Sequence, residues 1–286
     1  MQTENKNQPF VEIIREWDPA DYKIRYALFD FDGTVSLIRE GWQGIMIPYF
    51  TQVLEEVAQG ETHEELEDLV RLFVTDLTGK QTIFQCIRLA EEVRKRGGTP
   101  LEPIEYKTEY LRRLGIRIHD RKEGLAAGTI DPDDWIVPGS RQFITMLREK
   151  GIHCLVASGT DDADVQREAQ LLKIDELFDG GVFGARDDLS VNRKESEIRE
   201  IKAMVIEDLL EKEGIDPSEL ISFGDGYVEV QLVAERGGLA IGVATNEDTR
   251  TGINEWKRGR LIVAGARAIA PDFSQPEELM RLLDYK

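Results

Sequence analysis

Short apolar runs bounded by Gly, Asp or Ser recur along the chain, at Tyr26–Phe29 and at residues 153–157, 181–183, 220–223 and 239–244. Runs of this length between turn formers predict strands buried on both faces. Between them the apolar spacing lengthens to that of a helix. Residues 140–150 carry Phe143, Ile144 and Leu147 on one face and stop at Gly151, while residues 161–172 carry Val165, Ala169 and Leu172. This alternation predicts an α/β fold with a parallel sheet covered on both faces.

From Thr34 to Trp135 the pattern is helical alone. The clearest helix starts at Thr62, where Glu65 completes a capping box and Leu66, Leu69, Val70, Phe73 and Leu77 follow. A second covers residues 82–96 before Gly97-Gly98, and a third covers roughly 105–114 before a continuation with a weaker pattern. The expected organisation is an N-terminal extension (1–24), a core made of 25–40 and 132–286, and a helical insertion at 41–131. Val11, Ile13, Ile14 and Trp17 in the extension suggest packing against the core or a partner.

Composition narrows the functional classes. A formal net charge of -19 argues against nucleic acid and anionic membrane as partners, since both require clustered Lys and Arg. No run of about 18 apolar residues exists to span a bilayer, and residues 1–9 lack an apolar leader core, so a cytoplasmic protein is expected. Cys86 and Cys154 sit in apolar runs without metal or redox spacing, which predicts buried, reduced thiols. His63, His119 and His153 follow no ligand spacing, and Asp161-Asp162 sits where a helix dipole favours acids. Asp187-Asp188 reads as a loop pair.

The run Tyr26-Ala27-Leu28-Phe29-Asp30-Phe31-Asp32-Gly33-Thr34 puts two carboxylates at the exit of a strand, followed by a Gly that permits a tight turn. It resembles the first motif of the haloacid dehalogenase superfamily, a strand ending in Asp-x-Asp-Gly-Thr. Residues 154–160, Cys-Leu-Val-Ala-Ser-Gly-Thr, look like its second motif, a strand ending in a hydroxyl residue. Lys194 resembles its third, a lysine near a helix start; Lys202 is the weaker candidate because it falls deeper in the expected helix. Residues 221–229, containing Gly224-Asp225-Gly226 and Glu229, look like the fourth, with two acids one helical turn apart. The superfamily more often has Asp at the Glu229 position and Pro after its lysine.

The resemblance, which runs from about Tyr26 to the C-terminus, implies a Rossmann-like three-layer core with a mainly parallel sheet and a helical cap inserted after the first motif. Among its members the chain is most similar to the capped phosphatases, those like phosphoglycolate phosphatase and β-phosphoglucomutase. Asp30 would then be the nucleophile, Asp32 the acid and base, and Lys194 the balancing cation. Thr34, Ser158, Gly159 and Lys194 would hold phosphate, while Asp30, Asp32, Asp225 and Glu229 would hold Mg2+. A carboxylate approaching a phosphate meets about 4 kcal/mol of repulsion per charge pair at 4 Å for an effective dielectric of about 20. A hard cation among oxygen ligands offsets it.

The implied function is Mg2+-dependent hydrolysis of a small phosphorylated metabolite through an aspartyl-phosphate. A phosphomutase or phosphotransferase shares every one of these residues and differs in the acceptor. A non-catalytic phospho-aspartate regulator is disfavoured by Asp32 and by the size of the insertion, and an inactive binding module by the completeness of the motif set. Thr78-Gly79-Lys80-Gln81-Thr82 resembles the specificity loop of capped members, which makes Lys80 and Gln81 candidate substrate contacts. The plainer reading makes Lys80 a solvated loop charge and Thr82 an N-cap. Arg39 and Trp42 are further, weaker candidates.

Overall fold

The computed structural model describes residues 9–186 and 200–283. Within them, seven strands form one sheet: β1 (Glu12–Ile13), β2 (Tyr26–Phe29), β3 (His153–Asp161), β4 (Gly181–Ala185), β5 (Leu220–Gly224), β6 (Leu239–Val243) and β7 (Ala268–Ala270). Their spatial order is β1-β7-β6-β5-β2-β3-β4. All neighbours are parallel except β1 with β7. β2 lies centrally, with Phe29 level with Val156 of β3 and Phe223 of β5. The three motif-bearing strands therefore end side by side on one edge, the edge where parallel sheets collect ligands.

Helices cover both faces. α5 (Ser140–Glu149), α6 (Asp162–Leu171) and α10 (Pro276–Arg281) pack on one side through Phe143, Ile144, Val165, Ala169 and Leu279. α7 (Ile201–Glu211), α8 (Tyr227–Arg236) and α9 (Glu255–Val263) pack on the other through Ile201, Val205, Leu209, Val230, Val233 and Leu261. Alternation along β2 serves both, with Ala27 and Phe29 facing the first layer and Leu28 the second.

The insertion holds four helices: α1 (Gln43–Glu55), α2 (His63–Asp76), α3 (Thr82–Lys95) and α4 (Pro103–Ala127). α2 starts with the expected Thr62–Glu65 capping box. α1 was not separately expected, because Gly44 and Pro48 interrupt its helical signal; Pro48 lies inside the helix. α4 runs past the expected residue 114 to a left-handed cap at Gly128, despite Gly115 in its interior. The N-terminal extension, left open by the sequence, adds β1 to the β7 edge, where Arg258 binds Glu12 through two hydrogen bonds of 2.7 and 2.6 Å. Pairing that edge removes an unsatisfied row of backbone groups. Cys86 and Cys154 are buried and outside any disulfide.

Beneath the motif edge, Phe143 stacks on Phe273 at 5.2 Å and meets Phe223 edge-on at 5.1 Å, with all three rings buried. Phe143→Ala is expected to lower unfolding free energy by about 3–5 kcal/mol, measured by urea denaturation. A loss under about 1 kcal/mol would mean that this cluster does not carry the core.

Candidate active site

The end of β2 delivers Asp30 into a buried position. Its Oδ1 accepts a 2.7 Å hydrogen bond from the Phe31 N–H, and its Oδ2 lies 2.7 Å from Lys202 Nζ. Lys202 is fully buried and also reaches Glu229 Oε2 at 2.6 Å. Burial pushes the Asp30 carboxyl up and Lys202 opposes it. Glu229 is likewise raised by burial, to about 8, and drawn down by the same Lys202. Burial works against Lys202 too, but the two acids outweigh it and hold its pKa above the usual value.

Asp32, two residues on, is aimed across the cavity mouth. Thr160 Oγ1 donates to its Oδ2 at 2.7 Å, while its Oδ1 has Arg39 Nε at 4.0 Å and no hydrogen-bond partner among the described residues. Burial pushes Asp32 up to about 7, Arg39 draws it down and Glu168 pushes it up. Arg39 is itself committed to acids of α6, through Nε and Nη2 to Glu168 and Nη2 to Asp164 at 2.9 Å. A register shift in β3 between Ala157 and Asp161 throws Ser158, Gly159 and Thr160 out of the ladder toward the same space. Ser158 is buried, and its Oγ accepts from the Thr160 N–H at 3.1 Å.

Asp30, Asp32, Arg39, Lys202 and residues 158–160 line one cavity of about 260 Å³, walled also by Lys80, Trp42, Asp225 and Lys257. Gly33 turns beneath Asp225 with φ +77°, and a Cβ there would collide with the Asp225 carboxylate, so only glycine allows the approach. At Gly159 a Cβ would stand 2.9 Å from the Lys80 carbonyl, so the α2–α3 loop rests directly on the β3 exit. Lys107 of α4 pairs with Asp161, and Arg260 of α9 donates to the carbonyls of Thr75 and Asp76, fastening the four-helix block over the cavity.

Several expected residues take other places. Thr34 is buried and brackets Asp225, donating to Oδ1 at 3.1 Å and accepting from the Asp225 N–H at 2.9 Å, so its hydroxyl is committed there rather than to phosphate. Glu229 faces Lys202 instead of a cation beside Asp225, because α8 turns it under Gly224 into the core. Gln81 is buried outside the cavity wall, while Lys80 does line it. Lys194 and Asp187 lie outside the described residues, and among the described residues Lys202 is the lysine that reaches Asp30. Asp161 and Asp162 serve structure, the latter accepting from the Gly184 N–H at 2.9 Å. Neither His63 nor His153, paired with Glu55 and Asp179, lines the cavity. Glu168, Glu247 and Lys257 were not singled out from sequence, for they carry no local motif.

The family model for haloacid dehalogenase-like hydrolases matches residues 24–237. The chain belongs to that family. A phosphoserine phosphatase of Archaeoglobus fulgidus is 27% identical over 161 residues, which are 56% of this chain and 40% of that protein. The match therefore spans two-fifths of the length of that curated relative. The fold is shared with a predicted phosphoglycolate phosphatase from Haemophilus somnus, at a TM-score of 0.54 and 16% identity over 90% of this chain and 98% of that one. It is shared also with a β-phosphoglucomutase from Clostridium difficile, at 0.57 and 14% over 92% and 98%.

Removing Lys202 leaves two buried acids without their cation. Lys202→Met is expected to cost about 3–5 kcal/mol in chemical denaturation, with part recovered in Lys202→Met/Glu229→Gln. An unchanged unfolding midpoint in the single variant would refute the shared ion pair.

Proposed function

We propose that this protein is a phosphatase that hydrolyses a small phosphate monoester through a phosphorylated Asp30. The observation that carries the reading is the pair of unlike carboxyl groups on one turn. Asp30 is held by a buried ammonium, while Asp32 is raised to about 7 beside it in the same cavity. Unlike environments for two nearby acids divide the roles of nucleophile and proton carrier.

The donor set fits a hard divalent ion, of which Mg2+ suits oxygen ligands and retained water best. Among the described residues, Asp30 and Glu229 share the Lys202 ammonium, Asp225 and Glu247 share that of Lys257, and Asp32 has Arg39 at 4.0 Å. Burial first, and like-charge repulsion from Asp225 after it, push Asp30 up, and a cation would relieve the repulsion. Among the described residues no three His, Cys, Asp or Glu side chains form a ready cage. The holders would be the Asp30 and Asp225 carboxylates with the Asp32 carbonyl. When bound, the ion supplies charge neutralisation for the incoming phosphate.

The chain's own residues supply the rest. Lys202 holds Asp30 Oδ2, which leaves the carboxylate anchored as it attacks phosphorus. Ser158 Oγ and the backbone at Gly159 bind phosphate oxygens. Asp32 donates its proton to the leaving oxygen and then takes one from the water that opens the acyl phosphate. The α1–α4 block acts as a cap over this site, excludes bulk water and admits a substrate of metabolite size, with Lys80 as its cationic contact. Its fastening to the core favours small soluble phosphates over whole proteins.

A panel of sugar, hydroxy-acid and amino-acid phosphates, assayed with Mg2+ for phosphate release, tests this. Native protein is expected to release phosphate selectively and folded Asp30→Asn to release none in steady state. Hydrolysis by Asp30→Asn at the native rate would sink the mechanism, and isomerised sugar phosphate without release would assign a mutase instead.

The Asp32 proton gives a pH test. Because Asp32 must arrive protonated, kcat/KM is expected to fall as pH rises through about 7. The Thr160 hydroxyl stabilises the charged form, so Thr160→Val raises the Asp32 pKa and moves the falling limb to higher pH. A limb that stays in place or moves down contradicts the assignment.

A further inference from the structure

Lys257 belongs to none of the four motifs, yet it enters the centre of the site. It is the third residue of α9, buried, with Nζ 2.6 Å from Asp225 Oδ2 and 2.7 Å from Glu247 Oε1. Two features fix it there. The Asn254 side chain caps α9 by accepting the Lys257 N–H at 3.1 Å, and the Asn254 N–H returns to the Ala244 carbonyl at the end of β6 at 2.8 Å. Glu247 arrives from the loop between, close enough to Gly33 that a Cβ would stand 3.1 Å from its Oε1. Asp225 Oδ1 is taken by the Thr34 hydroxyl, so Lys257 holds the other oxygen of the same carboxylate.

We propose that Lys257 is a tethered cation that sets how tightly the site takes a divalent ion: it shares Asp225 with that ion, and Glu247 cancels its charge. This rests on the reading that Asp30 and Asp225 hold the ion. An ammonium sharing an oxygen with a ligand carboxylate weakens that carboxylate's pull on a second cation, and a paired Glu247 restores it. The two residues therefore act in opposite directions. Without the ammonium, Asp225 and Glu247 both attract the ion; without the Glu247 charge, the ammonium repels it. At this range each change is expected to shift affinity by about tenfold at low salt.

Calorimetric titration of Mg2+ into metal-stripped protein reads this directly, with the Mg2+-induced rise in Tm as a second measure. Lys257→Met is expected to bind about tenfold tighter than native, Glu247→Gln about tenfold weaker, and Lys257→Met/Glu247→Gln close to native. Lys257→Arg keeps the charge and is expected to match native, while Lys257→Gln serves in place of Lys257→Met if the latter does not fold. Equal or weaker binding by the charge-removing Lys257 variants would overturn the proposal, since the lysine would then only orient Asp225. Absence of binding by native protein, or native binding by Asp225→Ala, would overturn the underlying cation reading and this inference with it.

Discussion

The site depends on one buried ammonium. Lys202 is fully enclosed, and a charge in that position is tolerable only because Asp30 and Glu229 both meet it. Those three residues come from β2, α7 and α8, so the pairing fixes the strand end against two helices of one layer. Within that triad burial pushes both carboxyl groups up, and the shared ammonium draws both down.

Around that centre, position follows from backbone approach more than from side-chain reach. Glycine at 33 lets the first turn slide under Asp225, and glycine at 159 lets the α2–α3 loop settle on the β3 exit. Arg39 links the layers differently. Its guanidinium is neutralised by Glu168 and Asp164 on α6 and still stands 4.0 Å from Asp32 Oδ1. Asp32 thus has a cation near it without a direct bond to quench it, while burial and Glu168 push the other way. The balance leaves its carboxyl near 7, where transferring a proton costs little in either direction.

Much of this was legible in the sequence where the signal was local. Asp30, Asp32, Ser158 and Asp225 lie on strand exits marked by short apolar runs and Gly, and the structure brings them to one cavity. The capping box at Thr62 and the strand at Tyr26–Phe29 were equally direct. The two lysines proposed for the third motif differ in what the structure describes: Lys194 lies outside the described residues, while Lys202, the second residue of α7, reaches Asp30. Glu229 and Thr34 have the right spacing for ligand roles, and their direction is set by α8 packing and by Asp225, which spacing does not encode. Lys257, Glu247 and Glu168 are brought in by loop and helix packing far along the chain, so no window of sequence contains their reason.

Charge explains why a family with this chemistry needs the arrangement so complete. On the proposed reading, a phosphate dianion entering beside Asp30, Asp32 and Asp225 meets acids that Lys202, Lys257 and Arg39 neutralise only by sharing, so like-charge repulsion opposes it. Burial, which raises Asp32 to about 7, removes part of it, and Lys202 and Lys257 remove more. What remains lies between Asp30 and Asp225, the two carboxylates that would hold a divalent ion on the proposed reading. A site held short of neutrality in this way would let cation and phosphate favour each other's entry, because each would offset the charge that opposes the other.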